Sequence, residues 1–219
     1  MGSGKDSLTM VNTILSKEQN DAAIRKLADT DPDIFNLISR IGLPHFWIRE
    51  PGFTGLLKII LEQQVSLASA KAVFEKLSIS DGKLTTETFL HFDDEDLRIA
   101  GFSRQKMKYA RILAEAIVNN LLNLEHISLL SDDEARNTLM EIKGIGRWTA
   151  DCYLIFCMNR ADVWPYGDLA LNKALKVLKN LPAIPGHEES EKHADNWKPH
   201  RSAAARMLWH FYLSAEFPK

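Results

Sequence analysis

The run Leu139-Met140-Glu141-Ile142-Lys143-Gly144-Ile145-Gly146-Arg147-Trp148-Thr149-Ala150 constrains this chain more than any other stretch. It reads as helix, tight hairpin, helix, with Gly144 and Gly146 bracketing one apolar residue, Ile145. Glycine takes positive φ without a Cβ penalty and lets a second backbone come close. The hairpin therefore ends in free N–H groups with a new helix N-terminus opening behind them. That is an anion site by geometry, and a phosphate fits it. Some twenty positions later, Trp164-Pro165-Tyr166-Gly167-Asp168-Leu169 sets a lone carboxylate at the start of the next helix, expected from Asp168 to about Leu178. A phosphate grip followed by one acid points to chemistry on a substrate that carries phosphodiesters.

The rest of the chain is read as all-α, with no strand run, repeat or low-complexity tract. Two helices are expected from Lys17 to Ile41, with Asp31-Pro32 as N-cap and first residue of the second and Gly42 as its stop. Phe53 to Leu77 is apolar at helical spacing but is interrupted at Gln63-Gln64-Val65-Ser66, where Ser66 can cap a new helix. The break is either an exposed polar joint or a functional turn. Phe46 and Trp47, in the loop from Pro44 to Gly52, fit core packing or a pocket wall. Ser78 to His91 is loop or short helix, and Asp93 to Ala100 a short acidic helix ended by Gly101. Ser103 caps a long helix to about Asn120 that carries Arg104, Lys106, Lys108 and Arg111 near its start. A solvated charged face is the default reading, though such cations do not complement the dipole there, which makes an outside anion such as phosphate slightly more attractive. Ser131-Asp-Asp-Glu134 is a capping box for the helix entering the hairpin. Pro182 to Glu191 reads as loop, and Pro199 as the start of the last helix.

Composition sets limits. An apolar fraction of 45% over 219 residues supports a real core. A net charge of −2 argues against a large electrostatic footprint on nucleic acid, though not against a local basic patch. The two cysteines, Cys152 and Cys157, have no metal-ligand spacing and imply a reducing compartment without a disulfide framework. No apolar run reaches the ~18 residues that would span a bilayer, so no membrane partner is expected. Residues 1–16 read as a flexible terminus.

The hairpin and its downstream acid resemble the helix-hairpin-helix DNA glycosylases, and most closely the 3-methyladenine DNA glycosylase II branch, which removes alkylated bases. Three further stretches carry the resemblance, which runs from about Leu43 to about Tyr212: Phe53 to Ser66, Leu97 to Tyr109, and Trp197-Lys-Pro-His-Arg-Ser202. The implied fold has two helical lobes with the active-site cleft between them. One lobe would be built from 17–50 and 165–219, the other from 51–164 with the hairpin at 139–150. Relatives with an iron–sulfur cluster carry four clustered cysteines, so that branch is excluded.

The resemblance implies a monofunctional glycosylase of base excision repair. It would hydrolyse the N-glycosidic bond of alkylated purines such as 3-methyladenine and 7-methylguanine in duplex DNA. Asp168 would be the catalytic acid group: positive charge grows at C1′ as the base leaves, and a fixed carboxylate stabilises it and orients water. Glycosidases ordinarily use two carboxylates. Asp151 reads as a surface residue and no second acid stands out, but a base made cationic by alkylation leaves without protonation. Glycosylases that also cut the strand carry a Schiff-base lysine where this chain has Trp148, and Lys143 is not a substitute by register.

Trp148 and Trp209 match the family's base-pocket aromatics, with core packing the alternative for each, and Cys152 and His210 stand at positions where some relatives carry further aromatics. Lys143, Gly144, Gly146, Arg147 and Thr149 would meet DNA, and Gln64 would enter the stack where the base swings out. Main-chain carbonyls of Met140, Ile142 and Ile145 would hold a weakly bound Na or K ion, and no other cofactor is implied. The partner would be duplex DNA with an alkylated base, met by a monomer in the bacterial cytoplasm or the eukaryotic nucleus. Competing readings are a non-catalytic DNA-binding module, a helical interaction scaffold, and a glycosylase for a neutral oxidised, deaminated or mismatched base.

Overall fold

The computed structural model describes residues 14–77 and 84–218. These form the helices α1 (Lys17–Thr30), α2 (Pro32–Ile41), α3 (Phe53–Glu62), α4 (Leu67–Glu75), α5 (Thr86–Leu90), α6 (Asp94–Ala100), α7 (Arg104–Val118), α8 (Leu124–Ile127), α9 (Asp132–Met140), α10 (Arg147–Phe156), α11 (Leu169–Leu178), α12 (His187–Ala194) and α13 (Arg201–Leu213). No strand occurs among the described residues, only an isolated antiparallel bridge between Ile14 and Arg160. None of their helices is long and apolar enough to cross a membrane.

The helix ends form where local chemistry directs them. Asp31 caps α2 with Pro32 in its first turn, Ser66 caps α4, Ser103 caps α7, and Ser131 with Glu134 closes the capping box of α9. Gly42 and Gly101 end α2 and α6 at positive φ. Buried apolar side chains gather in two clusters. Leu56, Leu57, Ile60, Phe89, Leu113, Leu139, Ile145 and Leu154 belong to the first. Ile24, Leu37, Leu171, Leu175, Trp197, Met207 and Leu208 belong to the second. The chain passes between them at Val163 and Trp164, and Trp209 packs against both.

Three boundaries differ from expectation. Residues 1–13 lie outside the described ones, and 14–16 are held rather than flexible: Leu15 is buried, its N–H donates to the Asn159 carbonyl at 2.8 Å, and Ser16 closes a capping box on α1. The expected loop to Glu191 ends at Gly186. From there α12 forms, because Glu188 and Glu189 suit its N-terminus and Ser190 and Ala194 are buried. The last helix begins at Arg201, whose N–H and guanidinium both bind Asp162, at 3.2 and 2.8 Å. Of the stretch from Ser78 to His91, residues 78–83 lie outside the described ones, and α5 occupies most of the remainder.

Asp31 joins three elements of the second cluster. It accepts from the Asp33 N–H at 3.0 Å, from Trp197 Nε1 at 2.8 Å, and from Lys179 Nζ at 2.8 Å, where Lys179 caps the end of α11. Burial pushes this carboxyl up, but the bonds from Lys179, Trp197 and Asp33 outweigh it and hold the group below its ordinary value. Its stabilising contribution is therefore complete above about pH 4 and is lost as pH falls through the lower folded value. Asp31→Ala should cost about 1 kcal/mol for the cap and about 1–3 kcal/mol more for the buried indole left without an acceptor. Urea midpoints at pH 7 should show that loss, and the gap to the parent should narrow in acid.

Candidate active site

The hairpin joins α9 to α10 in six residues. The Ile142 N–H donates to Leu139 and the Ile145 N–H to Ile142, at 3.2 and 3.0 Å, and Ile145 is buried in the first cluster. The two glycines serve different needs. Gly144 has φ +102°, and a Cβ there would stand 2.3 Å from the Tyr109 ring. Gly146 is the N-cap of α10 at φ −90°, with nothing within 4 Å of a Cβ. Conformation and packing thus demand glycine at 144, whereas 146 keeps open space before the N-terminus of α10. Gln63 ties the hairpin to the turn between α3 and α4. Its Nε2 donates to the Gly144 carbonyl and to Thr149 Oγ1, both at 2.9 Å. The neighbouring Gln64 is exposed with φ +57°, a conformation uncommon outside glycine.

Asp168 caps α11 from a nearly buried position, 7% exposed. Three N–H groups converge on its carboxylate. Leu171 N and Trp209 Nε1 donate to Oδ1 at 2.8 and 3.3 Å, and Trp148 Nε1 donates to Oδ2 at 2.8 Å. Capping and a charge presented between two indoles therefore coexist. Both tryptophans meet the acid through their ring edges, and Trp209 also stacks on Phe156 with centroids 5.0 Å apart. Cys152 is 2% exposed, and burial, with Asp168 adding to it, pushes its thiol well up, so it contributes a neutral wall.

Several expected site residues are placed otherwise. His210 Nε2 lies 3.1 Å from the Ile41 carbonyl. Successive helical side chains diverge by about 100°, so Trp209 facing the acid turns His210 away from it. Thr149 is buried with its hydroxyl engaged by Gln63. Arg147 pairs with Glu191 and lies over the Tyr166 ring, 4.3 Å from its centroid. Lys143 remains exposed. Of the basic group on α7, Lys106 Nζ donates to the Leu61 carbonyl at 2.5 Å and Arg111 binds Asp94 at 2.7 Å, which leaves Arg104 and Lys108 exposed. Asp151, expected at the surface, is fully buried. It accepts from Arg136 Nε at 2.5 Å and from the Tyr166 N–H at 3.1 Å, and burial raises its carboxyl against the pull of Arg136.

Sequence reasoning also missed Gln63, Arg136 and Phe156, whose roles arise from distant partners. The one available signal was tryptophan itself at 148 and 209, since indole supplies a donor and no acceptor. The carbonyls of Met140, Ile142 and Ile145 are oxygen donors of the kind a hard cation takes. Ile142's already accepts the Ile145 N–H and keeps one lone pair, so the set fits a weakly held alkali ion.

Comparison with known proteins gives consistent matches. Residues 57–200 match the HhH-GPD superfamily base excision DNA repair protein family. DNA-3-methyladenine glycosylase 1 of Schizosaccharomyces pombe is 37% identical over 175 residues, which cover 78% of this chain and 76% of that protein. The alkylbase DNA glycosidase-like protein mag2 of the same organism is 31% identical, with 85% of this chain and 91% of the relative covered. The solved structure of the S. pombe 3-methyladenine DNA glycosylase Mag1 in complex with abasic DNA superposes with a TM-score of 0.84 at 32% identity, covering 90% of this chain and 100% of that one.

The glycine geometry makes a direct prediction. Gly144→Ala should lose at least about 2 kcal/mol, from the left-handed backbone and the displaced Tyr109 ring. Gly146→Ala should stay within about 0.5 kcal/mol of the parent. Paired thermal melts distinguish the two positions.

Proposed function

The chain belongs to the HhH-GPD superfamily of base excision DNA repair proteins, and on that premise we propose how its residues act. It is a DNA glycosylase that binds DNA and hydrolyses the N-glycosidic bond of alkylated purines such as 3-methyladenine and 7-methylguanine. The observation that carries the residue assignment is the convergence of two indole N–H groups and one backbone N–H on Asp168.

The base must leave the stack before reaction, since its glycosidic bond is inaccessible inside a duplex. As the bond to the base stretches, C1′ acquires positive charge. The Asp168 carboxylate is fixed before that charge appears, so no reorganisation is needed at the moment of reaction. It stabilises the oxocarbenium-like sugar and takes up or orients the proton of an attacking water. Methylation at N3 or N7 makes the purine a cation that departs neutral, so a single acid suffices. With an indole at 148 no amine is placed to attack the sugar, and the product is an abasic site on an intact strand. The hairpin amides and the open space at Gly146 receive a backbone phosphate, with Lys143 beside them. An alkali ion on the carbonyls of Met140, Ile142 and Ile145 would add positive charge for that phosphate. The exposed turn at Gln64 fills the place the base vacates. The active form is a monomer on duplex DNA.

Asp168→Asn should abolish base release from methylated DNA while affinity for abasic DNA changes little. Strand scission and a borohydride-trapped adduct should both be absent with the parent enzyme. Base release by Asp168→Asn at the parent rate would overturn the assignment.

The indole edges make a second test possible. Trp209→Phe keeps a ring to stack on Phe156 but removes an N–H from Asp168. Trp209→Ala removes both. If the face of Trp209 recognises cationic bases, the alanine variant should lose a further factor of about ten on 3-methyladenine beyond the phenylalanine variant, the size of a cation–π contact. On neutral hypoxanthine the two variants should behave alike. Single-turnover rates on both lesions decide.

A further inference from the structure

We propose that Asp151 is a positioning residue whose buried carboxylate fixes the turn that aims Asp168. The proposal rests on the reading of Asp168 as the reacting acid. On α10, Trp148 and Asp151 are three residues apart and so share one face. Each holds a different part of the same segment. Trp148 Nε1 grips the Asp168 side chain, and Asp151 Oδ2 accepts the backbone N–H of Tyr166, two residues before it.

The segment needs such a hold. Pro165 has no N–H to donate. Gly167 sits at φ +76° with no side chain to pack, and the turn's own closure is a single 3.3 Å bond from Asp168 N–H to the Pro165 carbonyl. The carboxylate that supplies the hold is costly to bury. It has no exposed surface and is kept there by Arg136 Nε at 2.5 Å, with Arg147 Nε at 3.9 Å. An apolar residue would fill this place in α10 without a buried charge pair. What an apolar residue cannot do is accept from Arg136 with one oxygen and from Tyr166 with the other.

That two-oxygen requirement gives the test. Asparagine has one acceptor oxygen, so Asp151→Asn must leave either Arg136 or Tyr166 unserved. Replacing Arg136 by methionine in the same chain removes the competing donor and returns the asparagine oxygen to Tyr166. Single-turnover base release from methylated DNA should fall at least tenfold in Asp151→Asn and recover to within threefold of the parent in Asp151→Asn/Arg136→Met. Affinity for abasic DNA should stay within threefold in both.

The indole Nε1–H resonances of Trp148 and Trp209 should move in the single variant and return in the double one, while those of Trp164 and Trp197 stay fixed. Parent-like release and unmoved resonances in Asp151→Asn would overturn the proposal. So would a double variant that folds with parent-like melting but does not recover. Should the single variant not fold, the double variant decides alone: parent-like release supports the hold on Tyr166, and a tenfold loss sinks it. Asp168→Asn is measured alongside. Base release by that variant would remove the reading of Asp168, while the indole resonances would still report whether Asp151 holds the turn.

Discussion

Helix α10 is the constraint on which the other parts depend. Seven of its ten residues are buried, Thr149 through Ile155. A helix enclosed on nearly every side cannot be shifted without opening a core. Its position therefore fixes whatever it carries. At its N-terminus it carries the hairpin, with Ile145 sunk in the first cluster. One turn on, it presents Trp148 and Asp151 to the segment before α11. At its C-terminus Phe156 backs the ring of Trp209. The proposed phosphate grip, the acid and the aromatic wall are thus all held by one helix.

Such enclosure favours partners for the polar side chains of α10, and Thr149, Asp151 and Tyr153 find theirs on other segments. Arg206, fully buried on α13, is pushed down to about 10 by burial. Its Nη2 donates to the Ile155 carbonyl at 2.7 Å, near the end of α10, and its guanidinium lies over the Phe46 ring, 4.8 Å from the centroid. A cation at a helix C-terminus answers the exposed carbonyls there. Phe46 is accordingly a packing partner of this cation. Gln63 makes an equivalent link at the other end of α10, through the Gly144 carbonyl and the Thr149 hydroxyl.

The parts legible in sequence were those set by neighbours a few residues away. Asp31-Pro32, Ser66, Ser103, the Ser131 box, Gly42 and Gly101 acted as their chemistry dictated, because a cap is satisfied within one turn. Asp168 belongs with them, since its capping role is local. What the sequence could not carry was direction. Asp151 and Arg147 are four residues apart and both charged, yet one is enclosed and the other leans on Glu191. The difference is made by Arg136, Tyr166 and α12, which reach α10 only through the tertiary fold. His210 misled for a simpler reason: adjacency to Trp209 on a helix is adjacency in sequence, not in facing.

The same internal pairing explains how a chain of net charge −2 can be a DNA-binding enzyme. Arg111, Arg136, Arg147, Arg160, Arg201 and Arg206 are all turned to carboxylates or carbonyls of the protein itself. Cations so used release few counterions on binding, and a binder that relied on them would need a far more basic surface. What remains for DNA in the proposed reading is directional: amides at a helix N-terminus and an unfilled space at Gly146, with exposed cations at Lys143, Arg104 and Lys108. Backbone amides cannot be neutralised by a neighbouring side chain's charge, and a hairpin anchored by the buried Ile145 cannot fold away. An interface of that kind trades long-range attraction for a fixed phosphate register. Register is what the proposed mechanism needs, because the carboxylate that would meet C1′ is itself held by the helix that would hold the phosphate.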